Sequence, residues 1–266
     1  MHVARYLHQH RKWPRIFQPV DFNEKVLHRL IFDRRPVLTR LTGKLEVRDW
    51  VMERTGDAGL LIDLIGTAED AAGLRRLALP EAFVVKANHL SGFKQFHFGP
   101  QAPDLAAMGA RVARWVRQAP RTEWPYAGLR RTALVERMLM VGGRAAHDVK
   151  FMCYDGRVCF IYIVTNRHGT GGSKIDIFRP DWTPIEGRWA FDNAPARPAA
   201  PLLLDRMIAT AEKLSAGLDF VRVDMYDCDD HFKTGEITTV PDRGMAWLDP
   251  PEIDVLFGAP WRVLTR

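Results

Sequence analysis

Between Phe220 and Thr238 the chain alternates apolar and polar side chains around a short polar break, the most informative pattern in the sequence. Side chains of a strand point alternately to its two faces, so Phe220, Arg222, Asp224 and Tyr226 share one face and Val221, Val223 and Met225 the other. The second set can pack into a core. That leaves Arg222 and Asp224 side by side on the opposite face, about 7 Å apart at the rise of a strand. The stretch from Asp227 to His231 has the composition of a turn, so the chain is expected to return as a hairpin. Equal parity then brings Glu236 to the face that carries Asp224. Two carboxylates and a guanidinium on one sheet face offer hard oxygen ligands for Mg2+ and a fixed cation for phosphate oxygens. The plainer alternative is a surface hairpin in which Arg222 and Asp224 only pair with each other. Surface-facing polar changes rarely cost more than about 1 kcal/mol, so replacing either carboxylate is expected to spare stability.

The charge balance narrows the partners. Lys and Arg number 38 against 32 Asp and Glu in 266 residues, a net +6 that favours acidic ligands such as nucleotides or anionic glycans. The basic residues are spread along the chain and form no long run interleaved with aromatics, which argues against a dedicated nucleic-acid binder. Cys153, Cys159 and Cys228 make no CxxC pair, and their odd number argues against a disulfide framework. Reduced thiols, a basic N-terminus without an apolar core and the lack of a ~20-residue apolar stretch together predict a cytoplasmic protein with no membrane span.

Along the chain, residues 21–78 read as helical. Asp21 and Glu24 form a capping box before Val26, Leu27, Leu30 and Ile31; a second helix runs from Lys44 through Met52 to Gly56, and a short third precedes Pro80. The character changes after Pro80. Ala82 to Ala87 reads as a buried strand, residues 103–118 as a helix and Thr132 to Glu136 as another strand. Asp148–Tyr154 and Arg157–Val164 form a hairpin about Asp155-Gly156, Gly169–Ser173 is a flexible loop, and a helix over 201–216 stops before Gly217. Irregular alternation of helices and strands predicts an α+β fold with mixed or antiparallel sheets, one compact unit overall.

Three further places carry candidate chemistry. Lys86 closes a strand and precedes the small-residue loop that holds His89, Ser91 and Gly92; such a loop can lay backbone N–H groups on phosphates, although no Walker A pattern is present. A solvent-exposed strand end is the simpler reading. Glu136 ends an apolar strand, and the apolar linker Arg137, Met138 and Leu139 after it can form an adenine slot or a core crossing. Lys150 lies inside an apolar hairpin strand, where a lysine either snorkels at an edge or reaches into a site.

Taken in order, these segments resemble an ATP-grasp enzyme, and more closely the TupA-like ATP-grasp family linked to teichuronopeptide and surface polysaccharide synthesis. The resemblance rests on Phe22-Asn-Glu-Lys25, on Lys44, Val47, Arg48 and Val51, and on Lys86, Asn88, His89, Ser91 and Gly92. It continues through Asp148, Lys150 and Phe151 to the closing Phe220–Tyr226 and Gly235–Thr238 segments. The resemblance implies an α+β ATP-grasp fold with ATP between two lobes at 80–266 and a helical portion at 1–79. It implies Lys86, Lys150 and the His89, Ser91 and Gly92 loop on the phosphates of ATP, and Glu136, Arg137, Met138 and Leu139 at adenine and ribose. It further implies Asp224 and Glu236 on Mg2+, and Arg222 on the transferring phosphoryl group or a tetrahedral intermediate. The activity implied is carboxylate–amine ligation, with an amine co-substrate and a small-molecule or glycan acceptor that presents a carboxylate. Two alternatives stand beside it: a phosphotransferase on the same fold acting on a glycan hydroxyl, and a non-catalytic basic module that binds anionic polysaccharide. The chain departs from the family pattern at Gly43, where aspartate is usual, and at Leu90, where glycine is usual. Thr238 stands where better-known ATP-grasp ligases have asparagine, a stronger metal ligand.

Overall fold

The computed structural model describes residues 2–120, 123–166 and 172–263. It begins with four helices: α1 (His2–His10), α2 (Phe22–Phe32), α3 (Pro36–Thr42) and α4 (Glu46–Thr55). The expected capping box starts α2: the Asp21 carboxylate accepts from Glu24 N at 2.9 Å, and Glu24 reaches back to Asp21 N. The chain then forms β1 (Leu64–Ala68), α5 (Ala71–Arg75), β2 (Ala82–Ala87), β3 (Lys94–Phe98), α6 (Leu105–Arg117) and β4 (Ala133–Arg137). These four strands make an antiparallel sheet in the order β1-β4-β2-β3, with α5 and α6 on its apolar face. The strand β1 lies in a stretch read from sequence as helical. Its short run of Leu64, Ile65, Gly66 and Thr67 lacks a clear period, and pairing with β4 decides its state.

After β5 (Met140–Val141) and β6 (Arg144–Ala145), a small hairpin, the second half contains β7 (His147–Tyr154), β8 (Arg157–Thr165), β9 (Lys174–Phe178), β10 (Pro184–Ile185) and β11 (Arg188–Trp189). Then follow α7 (Leu204–Ser215), β12 (Phe220–Asp227), β13 (Phe232–Thr238), β14 (Leu248–Asp249) and α8 (Glu252–Gly258). Six of these strands form a sheet in the order β10-β9-β8-β7-β12-β13. Residues 169–171 of the loop read as flexible lie outside the described residues. Among the described residues no helix is long and apolar enough to cross a membrane.

The two faces of this larger sheet have different fates. Val149, Phe151 and Cys153 of β7 and Val221, Val223 and Met225 of β12 pack against Trp50 and Val51 of α4 and Met207, Ala211 and Leu214 of α7. On the other face, Met152, Tyr154 and Phe220 meet Phe22 of α2, Trp189, and Phe257 and Trp261 near the C-terminal helix. That aromatic cluster covers only one end of the face. The other end carries Asp148, Lys150, Arg222 and Asp224, and it faces the smaller sheet.

The Phe22-Asn-Glu-Lys25 segment locks the covered end. Asn23 is fully buried; its amide accepts from Ala246 N at 2.9 Å and donates to Ala246 O at 3.0 Å, and it also donates to Asp254 of α8 at 2.8 Å. Asn23 N gives Asp254 a second bond at 2.9 Å. Burial, with the charge of nearby Asp21, pushes the Asp254 carboxyl up to about 6 from an ordinary 3.8. The fold therefore holds this proton more tightly than the unfolded chain, and ionising Asp254 costs stability as pH rises from about 3.8 through about 6. Asp254→Asn removes that cost. In chemical denaturation the variant is expected to gain on the parent by about 2–3 kcal/mol between pH 4 and pH 7. A difference between the two that ignores pH would contradict the assignment.

Candidate active site

Strand register builds the uncovered end of the larger sheet into a row of charges. Lys150 on β7 stands opposite Asp224 on β12, and Asp224 stands opposite Glu236 on β13. Neighbouring strands are about 4.8 Å apart, so the three heads meet on one face. The register slips just beyond this row: Asp224 pairs with Glu236 but Met225 with Thr234, which leaves Gly235 as the extra residue of a bulge. A Cβ on Gly235 would lie 2.6 Å from the Tyr226 ring, so the close crossing requires glycine there.

Asp224 is the centre of the row. It is 2% exposed, and Arg222 grips it with two bonds, Nε to Oδ1 at 2.6 Å and Nη2 to Oδ2 at 2.7 Å. Lys150 Nζ reaches Oδ2 at 2.5 Å and Asp148 Oδ1 at 3.0 Å. Arg222 Nη2 also donates to Thr238 Oγ1 at 3.0 Å and lies 3.8 Å from Glu236. Burial pushes the Asp224 carboxyl up, while Arg222 and Lys150 pull against it. Burial would also strip Lys150 of its proton, but Asp148 and Asp224 hold the ammonium above the ordinary lysine range. Glu236 differs from Asp224, because its side chain is 46% exposed to the cleft. Burial of its stem pushes its carboxyl up, yet Lys150, Lys44, Arg222 and Lys86 more than offset this and hold it well below the usual carboxylate range.

The facing wall comes from the smaller sheet. Lys86 at the end of β2 bonds Glu136 of β4 at 2.8 Å and sits 5.9 Å from the centroid of the Tyr226 ring. Burial lowers the lysine's proton affinity, but Glu136 and Tyr226 restore it, so the charge persists above the ordinary range. Arg48 binds the other oxygen of Glu136 at 3.4 Å and Ile62 O at 2.9 Å. The loop after β2 is pinned by Asn88, which is fully buried: its Oδ1 accepts from Leu45 N at 2.9 Å and its Nδ2 donates to Arg130 O at 3.1 Å. Lys44 Nζ donates to Leu90 O at 3.1 Å, closing the same loop onto the start of α4. Leu90, the departure from the family's glycine, is buried in the core under that loop.

Between the walls is a cleft of about 410 Å³, within the size range of small-molecule sites. Of the residues singled out by sequence, Lys86, Ser91, Gly92, Arg137, Met138, Leu139, Arg222 and Glu236 line it. Lys150, Asp224 and Glu136 lie just beneath its surface as ion-pair partners of lining residues or of one another. His89 turns away; it is 1% exposed and its Nε2 meets Trp115 O and Gln118 O at the end of α6. The end of α6 takes the imidazole, which no local pattern disclosed. Thr238, weighed from sequence as a weak metal ligand, lines the cleft, as do Lys44, Glu123, Tyr126, Asp148 and Arg243, which the sequence did not point to as site residues. Lys44 and Asp148 stood inside segments already singled out. Glu123, Tyr126 and Arg243 depend on long-range folding.

Of the two carboxylates, Glu236 is the one open to the cleft, whereas both oxygens of Asp224 accept from Arg222 and Lys150. Mg2+ is commonly held by one or two carboxylates with the remaining positions taken by phosphate oxygens and water. Among the described residues no group of three or more His, Cys, Asp and Glu could cage a metal alone. Glu236 is ionised and open to the cleft, with Asp224 directly behind it.

A family model described as TupA-like ATPgrasp matches residues 24–262. No curated protein matches the chain. Among solved structures, an ATP-grasp ligase, PsnB, complexed with minimal precursor aligns at 15% identity and TM-score 0.44, covering 77% of this chain and 53% of its own. D-alanine–D-alanine ligase from Bacillus anthracis complexed with ATP aligns at 16% identity and TM-score 0.45, covering 76% and 56%. The Helicobacter pylori D-alanine–D-alanine ligase aligns at 13% and TM-score 0.49, covering 85% and 60%. The chain thus spans between half and three-fifths of the length of these structures.

The burial of Asp224 overturns the expectation that both carboxylates are replaceable without loss. Removing its charge leaves Arg222 and Lys150 packed together without their shared counter-ion. Breaking a buried pair in this way costs about 3–5 kcal/mol. Urea denaturation should show Asp224→Asn less stable by about 3 kcal/mol and Glu236→Gln by less than about 1 kcal/mol. Equal, small losses would contradict the account of the row.

Proposed function

The chain belongs to the TupA-like ATP-grasp family, and on that premise we propose that it is an ATP-dependent carboxylate–amine ligase. The observation that supports this most is the meeting of two sets of groups across one cleft: Lys44 and Lys86 on one wall, Arg222, Asp224 and Glu236 on the other. A nucleotide triphosphate needs cations for its phosphates, carboxylates for its metal and an apolar slot for its base. Val84, Met138 and Leu139 offer the slot, and Ser91 and Gly92 offer backbone N–H groups beside Lys86. Asp224 and Glu236 would hold Mg2+, which when bound neutralises charge on the phosphate oxygens.

In the reaction proposed, an oxygen of the acceptor carboxylate attacks the γ-phosphorus of ATP and ADP leaves. The amine nitrogen then attacks the acyl carbon, phosphate leaves, and the nitrogen gives up a proton to form the amide. Lys86 stays protonated throughout because Glu136 maintains its charge, so it donates to phosphate oxygens at any working pH. Arg222 is fixed by its two bonds to Asp224, which directs its remaining donor, Nη1, without conformational search. An oxyanion developing on the acyl carbon or on the transferring phosphoryl group is stabilised by that preset charge. The acceptor proposed is a uronic-acid or amino-acid carboxylate of a surface polysaccharide or its precursor, which suits the net positive charge of the chain. The reaction proposed is a cytoplasmic one, since that is where ATP is supplied.

The same cations would serve a phosphotransferase, and the fate of the phosphate separates the two. With γ-labelled ATP, a uronic-acid oligosaccharide and a set of amino acids, the ligase is expected to release ADP and labelled free phosphate in equal amounts, and only when an amine is present. Label retained on the oligosaccharide and indifferent to the amine would overturn the ligase in favour of the kinase.

A further inference from the structure

A second cavity, of about 630 Å³, opens beside the cleft and is lined by Ala4, Arg5, His8, Gln9, Arg243 and Met245. Arg243 lines both spaces. The backbone there is held in a form that L-residues seldom adopt: Asp242 and Arg243 have φ of 48° and 58°, followed by Gly244 at 72°. Non-glycine residues stay in the left-handed region only where neighbouring contacts enforce it. Trp189 Nε1 bonds Asp242 at 2.9 Å, and a Cβ on Gly244 would fall 2.6 Å from Asn23 O. The helix α1 is fastened to the same turn, with His10 Nε2 meeting Gly244 O at 3.0 Å and Tyr6 fully buried.

The groove is strongly basic. Residues 2–20 contain no Asp or Glu. Lys12 and Arg15 are neutralised by Asp21 and Glu24, but among the described residues Arg5, His8 and Arg243 have no ion-pair partner within 4.0 Å. Burial and the surrounding cations, Arg5, Arg243 and Arg34 among them, push His2 below the ordinary histidine value. Acids act at the edges of this region, Asp21 and Glu24 on Tyr6 and His10, and Glu123 on Arg243, while Arg5 and His8 have none within ion-pair distance among the described residues. A nucleotide would occupy most of the 410 Å³ cleft, and Arg243 lines both the cleft and the groove beside it.

We propose that the groove over α1 extends the cleft as a polyanion-binding subsite, seating further carboxylate-bearing units of an extended acceptor chain while its reacting carboxylate lies beyond Arg243. The proposal rests on the ligase reading of the cleft for the identity of the reacting end. The groove itself is tested separately from that reading. A single-unit substrate would leave Arg5 and His8 without a role, whereas an oligomer meets them one after another.

Oligogalacturonates serve as the probe, as monomer, trimer and hexamer, titrated by calorimetry into the intact protein and into Arg5→Glu/His8→Ala. Both substituted side chains are exposed, so the variant is expected to fold, and circular dichroism together with ATP–Mg2+ titration checks that it does. In the parent, hexamer is expected to bind about tenfold tighter than monomer and to weaken as salt rises, as exposed charge pairs do. In the variant the gain with length should shrink to under about twofold, with ATP affinity unchanged. A hexamer that binds the parent no better than monomer, or a gain that survives in the variant, overturns the subsite. A length-dependent gain in a protein that binds no ATP leaves the subsite standing and removes the ligase.

Discussion

Everything at the cleft depends on the way Asp224 is held between Arg222 and Lys150. Charges taken out of water in the middle of a sheet are costly, and only good geometry with several hydrogen bonds repays them. The row supplies that geometry through register alone: β7, β12 and β13 put a cation, an anion and an anion opposite one another. Asp148 adds a second acid beside Lys150, and Thr238 adds an acceptor beside Arg222. The result is a set of charged groups fixed in place before any ligand arrives, which is the condition for strong electrostatic stabilisation of a reacting group.

The opposite wall repeats the device with different parts. Glu136 is buried and holds both Lys86 and Arg48, so the lysine's charge is kept although most of its surface is covered. Lys44 is the exception, since burial pulls its proton affinity below the ordinary lysine value and only a backbone carbonyl is bonded to it. An incoming phosphate would answer that deficit. The two walls thus differ in kind: one presents cations anchored on a small sheet, the other an open carboxylate backed by a closed ion cluster.

Much of this was legible in the chain. Strand parity was enough to set Arg222, Asp224 and Glu236 on one face, because alternation in a half-buried strand leaves little freedom. The hairpin about Asp155-Gly156 was equally plain, with both residues at positive φ as a tight turn requires. Depth was not legible. Periodicity says which face Asp224 occupies but not that Arg222 and Lys150 enclose it there, and so the expected tolerance of its substitution was reversed. The orientation of His89 depends on α6, a partner far along the chain, and the bulge at Gly235 depends on the Tyr226 ring. Arg243 escaped for the same reason, since its left-handed backbone is imposed by contacts with Trp189, Asn23 and α1. The strand β1 was missed because its few residues carry no period and β4 alone selects their state.

The central claim is that the cleft is a nucleotide site whose open carboxylate, Glu236, works with a divalent cation. Calorimetric titration of the intact protein with ATP, once with Mg2+ and once with a chelator, addresses it directly. The account predicts one-to-one binding with the metal and binding weaker by at least about tenfold without it. No binding in either condition, or equal affinity in both, would contradict it.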